Sequence, residues 1–338
     1  MAIQTLEEIG NRQMGVVAPP EGVSVCCVTD AEAKAGGQAG CGCGSSAVAV
    51  DDRVSPCCGE DNATRDTSEH AGPGQLADDE IRQAVRAHYG QVAEQEGYGC
   101  GTPDSACCGS TNTDLGRLSH ALGYSSSETH SVPEGANMGL GCGNPQAIAS
   151  IKPGETVIDL GSGGGFDCFL ASRQVGDNGR VIGVDMTPAM VSKACANADK
   201  GNYRNVEFRL GEIESLPVAD GIADAIISNC VINLSPDKGR VFAEAYRTLK
   251  PGGRLAIADI VAFAEPPEEI RRDMALYSGC MAGASLVREV ETMLRSTGFQ
   301  NIRISPKDES KAFIRDWAPD SPITDYVVSA TIEAVKPT

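Results

Sequence analysis

Residues 156–166 read Thr156-Val157-Ile158-Asp159-Leu160-Gly161-Ser162-Gly163-Gly164-Gly165-Phe166. A short apolar run enters a glycine-rich turn, and a helical pattern resumes at Phe166 and continues to about residue 174. That predicts strand, turn and helix in direct succession. A dinucleotide-binding loop of the G-x-G-x-x-G type would need glycine at position 166, where this chain has phenylalanine. The pattern here is D-x-G-x-G-x-G. Glycines admit positive φ and a close approach of backbone to ligand. The N-terminus of the following helix offers free N–H groups to a carboxylate. Asp185 ends a second strand, 22 residues after Gly163. An acid there can take both hydroxyls of a ribose. Loop and acid together point to a nucleoside-bearing ligand.

Working outward, strands and helices alternate from residue 151. Strands are expected at 156–160, 181–185, 206–210, 223–229 and 255–259, with two more near 301–305 and 325–335. Helices are expected at 166–174, after Thr187 with Pro188 in the first helical position, at 237–249, and near 267–278 and 285–297. This alternation predicts an α/β fold, a doubly wound, mostly parallel seven-stranded sheet. In such sheets the ligand sits beyond the carboxyl ends of the strands.

Before residue 151 the character differs. Residues 1–75 contain no Phe, Tyr or Trp and are expected to be a disordered, Cys-rich extension, because they bury too little apolar surface to offset their ordering entropy. Residues 76–150 form an N-terminal helix and a Cys-bearing cap segment. Ile81, Ala84, Val85, His88 and Val92 recur at helical spacing, and His88 belongs to that face or lies beside it. Residues 97–147 read as a long Gly/Ser/Thr-rich loop, a length that tends to be functional. Residues 151–338 are the nucleoside-binding domain.

The 338 residues carry 28 basic and 46 acidic side chains, a net charge of −18, which disfavours nucleic acid and anionic membrane as partners. No run of 18 apolar residues and no apolar leader is present, so a cytoplasmic protein is expected. The cysteine count of 14 is high for a chain in a reducing compartment, and points to metal, metalloid or redox chemistry. Six of these lie in the first 75 residues, as Cys26-Cys27, Cys41-Gly42-Cys43 and Cys57-Cys58. No C-x-x-C spacing occurs, which argues against zinc-finger, zinc-ribbon and thioredoxin-type sites.

Asp159-x-Gly161-x-Gly163-x-Gly165, Asp185 and the turn Leu249-Lys250-Pro251-Gly252-Gly253 resemble class I S-adenosylmethionine-dependent methyltransferases. Three further segments are similar to the arsenite S-adenosylmethionine methyltransferases: Ser228-Asn229-Cys230-Val231-Ile232-Asn233-Leu234, Leu276-Tyr277-Ser278-Gly279-Cys280-Met281 and Met138-Gly139-Leu140-Gly141-Cys142-Gly143. The resemblance covers about residues 76–338. It implies S-adenosylmethionine as cofactor, held by Asp159, Gly161, Ser162, Gly163, Gly165, Asp185, Met186, Gly211, Glu212, Ile213 and Asn229. It implies that Cys142, Cys230 and Cys280 bind trivalent arsenic, with an arsenic-binding segment near 265–300. Cys107 is its preferred match to the family's redox cysteine, with Cys100 and Cys108 as alternatives. The substrate would be arsenite or its thiol conjugates, the product methylarsenite and then dimethylarsenite, the role arsenic detoxification, the reductant of thioredoxin or glutathione type, and the protein a monomer. The first 75 residues depart from the family pattern, and the longer C-terminal region of animal members is missing after Thr338.

The residues agree with that implication. Cys230 falls just past strand four, Cys280 after strand five and Cys142 just before strand one, so all three can reach the carboxyl edge of the sheet. Three soft thiolates suit a soft ion. They leave the arsenic lone pair free as nucleophile, so no general base is required. Cys168 and Cys195 read as core residues within helices, and Asn229 and Asn233 also as caps of the turn after strand four. Two alternatives are kept: a small-molecule C- or O-methyltransferase with incidental cysteines, and a non-enzymatic soft-metalloid binding protein.

Overall fold

A computed structural model of the chain describes residues 78–94 and 112–338. The expectations for residues 1–75, including the three cysteine clusters, and for Cys100, Cys107 and Cys108 lie outside the described residues. Seven strands form one sheet in the order β3-β2-β1-β4-β5-β7-β6. They are β1 Thr156–Leu160, β2 Arg180–Asp185, β3 Val206–Leu210, β4 Ala223–Asn229, β5 Leu249–Ala262, β6 Gln300–Lys307 and β7 Val327–Val335. β1 to β5 pair in parallel, while β7 runs antiparallel between β5 and β6.

The described helices are, in chain order, α1 Asp78–Glu94, α2 Asn112–Ala121, α3 Ser126–His130, α4 Gln146–Ala149, α5 Phe166–Val175, α6 Pro188–Gly201, α7 Lys238–Thr248, α8 Glu268–Arg271, α9 Met274–Ser278, α10 Val287–Thr297 and α11 Lys311–Trp317. The period-2 alternation of a strand divides the central residues between two layers. Val157, Val181, Ala225 and Ile227 pack against Cys168, Ala171 and Ala194 of α5 and α6. Ile158, Leu160, Ile182, Val184, Ile226 and Ile257 pack against Val241, Phe242 and Ala245 of α7 and Val290 and Leu294 of α10. The central strands are apolar on both faces because helices cover both.

Three expectations need correction. The Lys250-Pro251-Gly252-Gly253 segment does not close a helix ahead of a short strand; it lies within β5, with a register shift against β4 between Ala223 and Ala225. The single helix expected near 267–278 is two, because Asp273 accepts from the backbone N–H groups of Ala275 and Leu276 and starts α9 afresh. The stretch 97–147 is not one loop: α2, α3 and α4 begin or lie within it, and Ser125 with Glu128 forms a capping box on α3. In α1, Val85 and Val92 are buried as expected, but Ala84 is exposed. No helix among the described residues is long and apolar enough to cross a membrane.

The β1–α5 turn is what aims the first helix at the site. Gly165 caps α5 with φ 93°, and a Cβ there would stand 2.7 Å from Phe169 Cε2 and 2.8 Å from Phe208 Cζ. Gly165→Ala should therefore lower stability by about 2–4 kcal/mol, combining overpacking with left-handed strain. Thermal denaturation checks this; an unchanged midpoint would refute the reading of that turn.

Candidate functional site

Two cavities open at the carboxyl ends of β1, β2 and β4. The first, about 660 Å³, is lined by Gly161, Asp185, Met186, Thr187, Ile213, Glu214 and Cys230, and on its far side by Arg82, Val85 and Tyr89 of α1. The second, about 550 Å³, is lined by Asp159, Ser162, Gly164, Asp167, Tyr124 and Met138. Gly161, Leu140 and Asn229 belong to both.

The β1 turn folds onto the end of β2. Asp185 accepts from Gly163 N at 3.0 Å and from Thr187 N at 2.8 Å. Burial pushes its carboxyl above the usual range, and these two N–H groups pull it back. Ile213 and Met186 line the first cavity. Glu212 is not among the residues lining the cavity and pairs with Arg86 of α1 at 3.0 Å, while Gly211 N donates to Asp185 O. Ser162 borders the second cavity, and its buried Oγ has no hydrogen-bond partner among the described residues.

Asp159 and Asp167 lie together beside that cavity. Burial and the nearby charge of Asp167 raise the Asp159 carboxyl well above its usual range. Asp167 is raised by burial, against hydrogen bonds from Asn229, Tyr124 and Gln146. Two buried carboxylates facing one cavity favour a cationic ligand there. Cys168 is fully buried and donates to Asp159 Oδ2 at 3.2 Å, away from the other thiols. Cys195, expected in the core, is only half-buried and packs against the α5–α6 layer.

The three remaining described cysteines converge. Cys142, Cys230 and Cys280 are 1%, 6% and 2% exposed and share one apolar cluster with Val85, Leu234, Ile260 and Met281. Cys230 is the hub, in hydrogen-bonding contact with the thiols of both Cys142 and Cys280. Cys142 Sγ donates to Ala258 O at 3.6 Å and Cys280 Sγ to Cys230 O at 2.6 Å. The contact with Cys142, then burial, pushes the Cys230 thiol well up; the contact with Cys230, then burial, does the same for Cys280. Among the described residues, Cys142, Cys230 and Asp259 each place a ligand atom within 4.8 Å of the other two, and the Cys280 sulfur is not part of that group.

Backbone strain and two asparagines build this cluster. Cys230 and Cys280 have φ of 58° and 63°, a left-handed conformation that costs a residue with a Cβ about 1–2 kcal/mol. Asn229 and Asn233 do not merely cap the turn between them. Asn229 Oδ1 accepts from Cys142 N at 3.0 Å, and its Nδ2 donates to Tyr124 Oη, Gly143 O and Asp167 Oδ2. Asn233 Nδ2 donates to Cys280 O at 3.2 Å, Ile260 O and Asp259 Oδ1. One asparagine thus ties down the Cys142 segment and the other the Cys280 segment. Gly141 permits the first tie, since a Cβ there would lie 2.6 Å from Asn229 Nδ2.

Sequence reasoning missed Tyr89, Tyr124, Asp167 and Asp259. Tyr89 donates to Ser278 O at 3.0 Å and touches the Cys280 thiol. Its place at position 89, adjoining the apolar face of α1, was the available signal. Asp259 ends the fifth predicted strand, at the carboxyl edge of the sheet, and that position was its available signal.

A model of the methyltransferase domain family matches residues 151–298. An arsenite methyltransferase of Halobacterium salinarum is 51% identical over 265 residues, 77% of this chain and 67% of that protein. An arsenite methyltransferase of Aquipseudomonas alcaligenes is 39% identical over 231 residues, 66% of this chain and 63% of that protein. The crystal structure of an arsenic(III) S-adenosylmethionine methyltransferase from Chlamydomonas reinhardtii is 34% identical, covers 65% of this chain and 73% of that one, and superimposes with a TM-score of 0.48. The chain spans about two thirds of the length of these curated relatives.

If Asn229 holds the Cys142 segment, Asn229→Ala should speed alkylation of Cys142 by about 5–30-fold, the equivalent of 1–2 kcal/mol of lost hydrogen bonding. Peptide mass mapping after a timed iodoacetamide pulse measures this. A Cys142 rate unchanged from the parent would remove the asparagine from this role.

Proposed function

The chain belongs to the arsenite methyltransferase family of S-adenosylmethionine-dependent enzymes, and we propose that it methylates trivalent arsenic held by the thiolates of Cys142, Cys230 and Cys280. The observation that carries this reading is that Cys230 lines the first cavity and shares one buried apolar cluster with Cys142 and Cys280. A small-molecule C- or O-methyltransferase would have no use for such a cluster, and a simple metalloid-binding protein would have no use for the paired cavities beside it.

The donor groups around the cavities fit the cofactor. Asp185 would hold the ribose hydroxyls, with Ile213 and Met186 against the base. Asp159 and Asp167 would face its ammonium group, and the unpartnered Ser162 Oγ would find an acceptor in its carboxylate. When bound, the cofactor supplies an electrophilic methyl group on a sulfonium sulfur.

The chain's own residues prepare the nucleophile. Arsenous acid and three protonated thiols exchange without net charge: each thiol proton leaves with an arsenic-bound hydroxyl as water, and three As–S bonds replace three As–O bonds. Thiols whose pKa is pushed up by burial and mutual contact suit a neutral partner of this kind. Sulfur donates more electron density than hydroxyl oxygen, so the bound arsenic lone pair is the better nucleophile. The apolar cluster of Val85, Leu234, Ile260 and Met281 keeps water from competing for the arsenic. Methylation oxidises arsenic to the pentavalent state. Two site thiolates can return the two electrons as they join in a disulfide, which an external thiol of thioredoxin or glutathione type would reduce. The role would be arsenic detoxification, with methylarsenite as first product.

Single replacement of Cys142, Cys230 or Cys280 by Ser should lower arsenite methylation by at least about 100-fold, since a two-thiolate complex loses the fixed position of the ion. Cofactor binding by calorimetry should persist. Cys168→Ser and Cys195→Ser should stay active, because neither touches the cluster. Loss of methylation in Cys168→Ser with retention in Cys280→Ser would overturn the tripod. Asp185→Ala should weaken S-adenosylmethionine binding on the order of 100-fold, from two charged hydrogen bonds of about 1.5 kcal/mol each. Unchanged affinity would remove Asp185 from the ribose.

A further inference from the structure

Asp259 is a buried carboxylate to which methyl transfer assigns no task. It lies near the carboxyl end of β5 and is 2% exposed. One of its oxygens lies within 4.8 Å of the sulfurs of Cys142 and Cys230, which are equally close to each other. A carboxylate has four acceptor positions. Asn233 Nδ2 at 2.9 Å and Ile260 N at 2.7 Å take two on Oδ1, and Ile232 N at 2.9 Å takes one on Oδ2. One position on Oδ2 remains. The three donors also hold the group in place, so the carboxylate is positioned before any ion arrives.

We propose that Cys142, Cys230 and Asp259 form a second site, overlapping the arsenic tripod, for a thiophilic divalent d10 cation such as zinc or cadmium. The two sites share Cys142 and Cys230 and differ in their third ligand. Trivalent arsenic takes three ligands and keeps a lone pair; once it holds three thiolates it is neutral and offers a carboxylate nothing. It therefore uses Cys280. A d10 cation has no such lone pair and takes four ligands in a tetrahedron, with sulfur at about 2.3 Å and carboxylate oxygen at about 2.0–2.2 Å. Those bonds set neighbouring ligand atoms roughly 3.5–3.8 Å apart. Atoms already within 4.8 Å of one another reach that spacing by small side-chain rotations. The two thiols lose their protons to solvent on binding, and two thiolates and one carboxylate then face the 2+ charge. Water takes the fourth position. Because two ligands are common, one ion excludes the other, and the cation acts as a competitive inhibitor of arsenic capture. That last consequence rests on the function proposed above; the cation site does not.

The test is site-resolved, because the full chain carries 14 cysteines and any exposed thiol can take cadmium. The full-length protein is incubated with increasing cadmium or arsenite, alkylated, and mapped by peptide mass spectrometry. The concentration that half-protects Cys142 and Cys230 is then read. Cadmium should protect both in the parent protein. Asp259→Asn should raise the half-protecting cadmium concentration by about 10–100-fold and leave that of arsenite within about threefold. Cys280→Ser should do the reverse, raising the arsenite concentration at least about tenfold with cadmium within threefold. Cadmium protection indifferent to Asp259→Asn would overturn the proposal. If Asp259→Asn weakens both ions alike, the Cys280→Ser protein decides: retained cadmium protection supports the site, and cadmium loss in step with arsenite refutes it. Failure of arsenite to protect the parent thiols, with cadmium protection intact, would instead count against the arsenic tripod alone.

Discussion

The side-chain amide of Asn229 is the interaction on which the site depends. Through one residue it joins the end of β4, the Cys142 segment and the Asp167–Tyr124 pair, using its oxygen on Cys142 N and its nitrogen on three acceptors. Both cavities share it as a wall. Asn233 repeats the device four residues later, toward Cys280 and Asp259. Cys230 stands between them. A buried amide satisfied at this many points has one low-energy orientation, so the loops it binds are located to hydrogen-bond accuracy.

The strain is the counterpart of that rigidity. Cys230 and Cys280 occupy left-handed backbone conformations that residues with a Cβ rarely adopt. Neither would hold such a conformation in a mobile loop. The asparagine bonds and the apolar cluster around Val85, Leu234 and Ile260 over-determine the local structure and absorb the cost. The thiols are thereby turned toward one another rather than into solvent.

Charge is distributed to match. Carboxylates gather on the cofactor side, with Asp159, Asp167 and Asp185 all raised by burial. The surroundings of the thiols are largely apolar, with Tyr89, Asn233 and Asp259 as polar neighbours; burial pushes the Asp259 carboxyl up to about 6 against its backbone N–H bonds. A cationic sulfonium ligand and a neutral thiol-bound metalloid would thus each meet a suitable environment. α1 closes the shared cavity through Arg82, Val85 and Tyr89, anchored by the Arg82–Glu214 and Arg86–Glu212 pairs.

The sequence by itself determined the layered α/β architecture, because apolar strands flanked by glycine turns and amphipathic helices leave few other ways to bury both sheet faces. It also determined Asp185 and the Asp159–Gly165 turn, since both lie at strand ends where the period of the pattern breaks. The thiols were legible as separate segments, each near the carboxyl edge. What only the tertiary structure decided is how they meet. Cys142 and Cys230 are 88 positions apart, Cys230 and Cys280 another 50, and no local pattern encodes a contact across such spans. The extension of β5 through the Lys250-Pro251-Gly252-Gly253 segment, the antiparallel β7, the left-handed cysteines and the approach of Asp259 to two sulfurs all arise from packing between distant elements. Asn229 and Asn233 show the boundary most plainly. In sequence they look like caps for the turn that separates them, since a short polar side chain after a strand ordinarily bonds its own backbone. In the fold both reach outward instead, because the Cys142 and Cys280 segments bring buried N–H and C=O groups that must be paired.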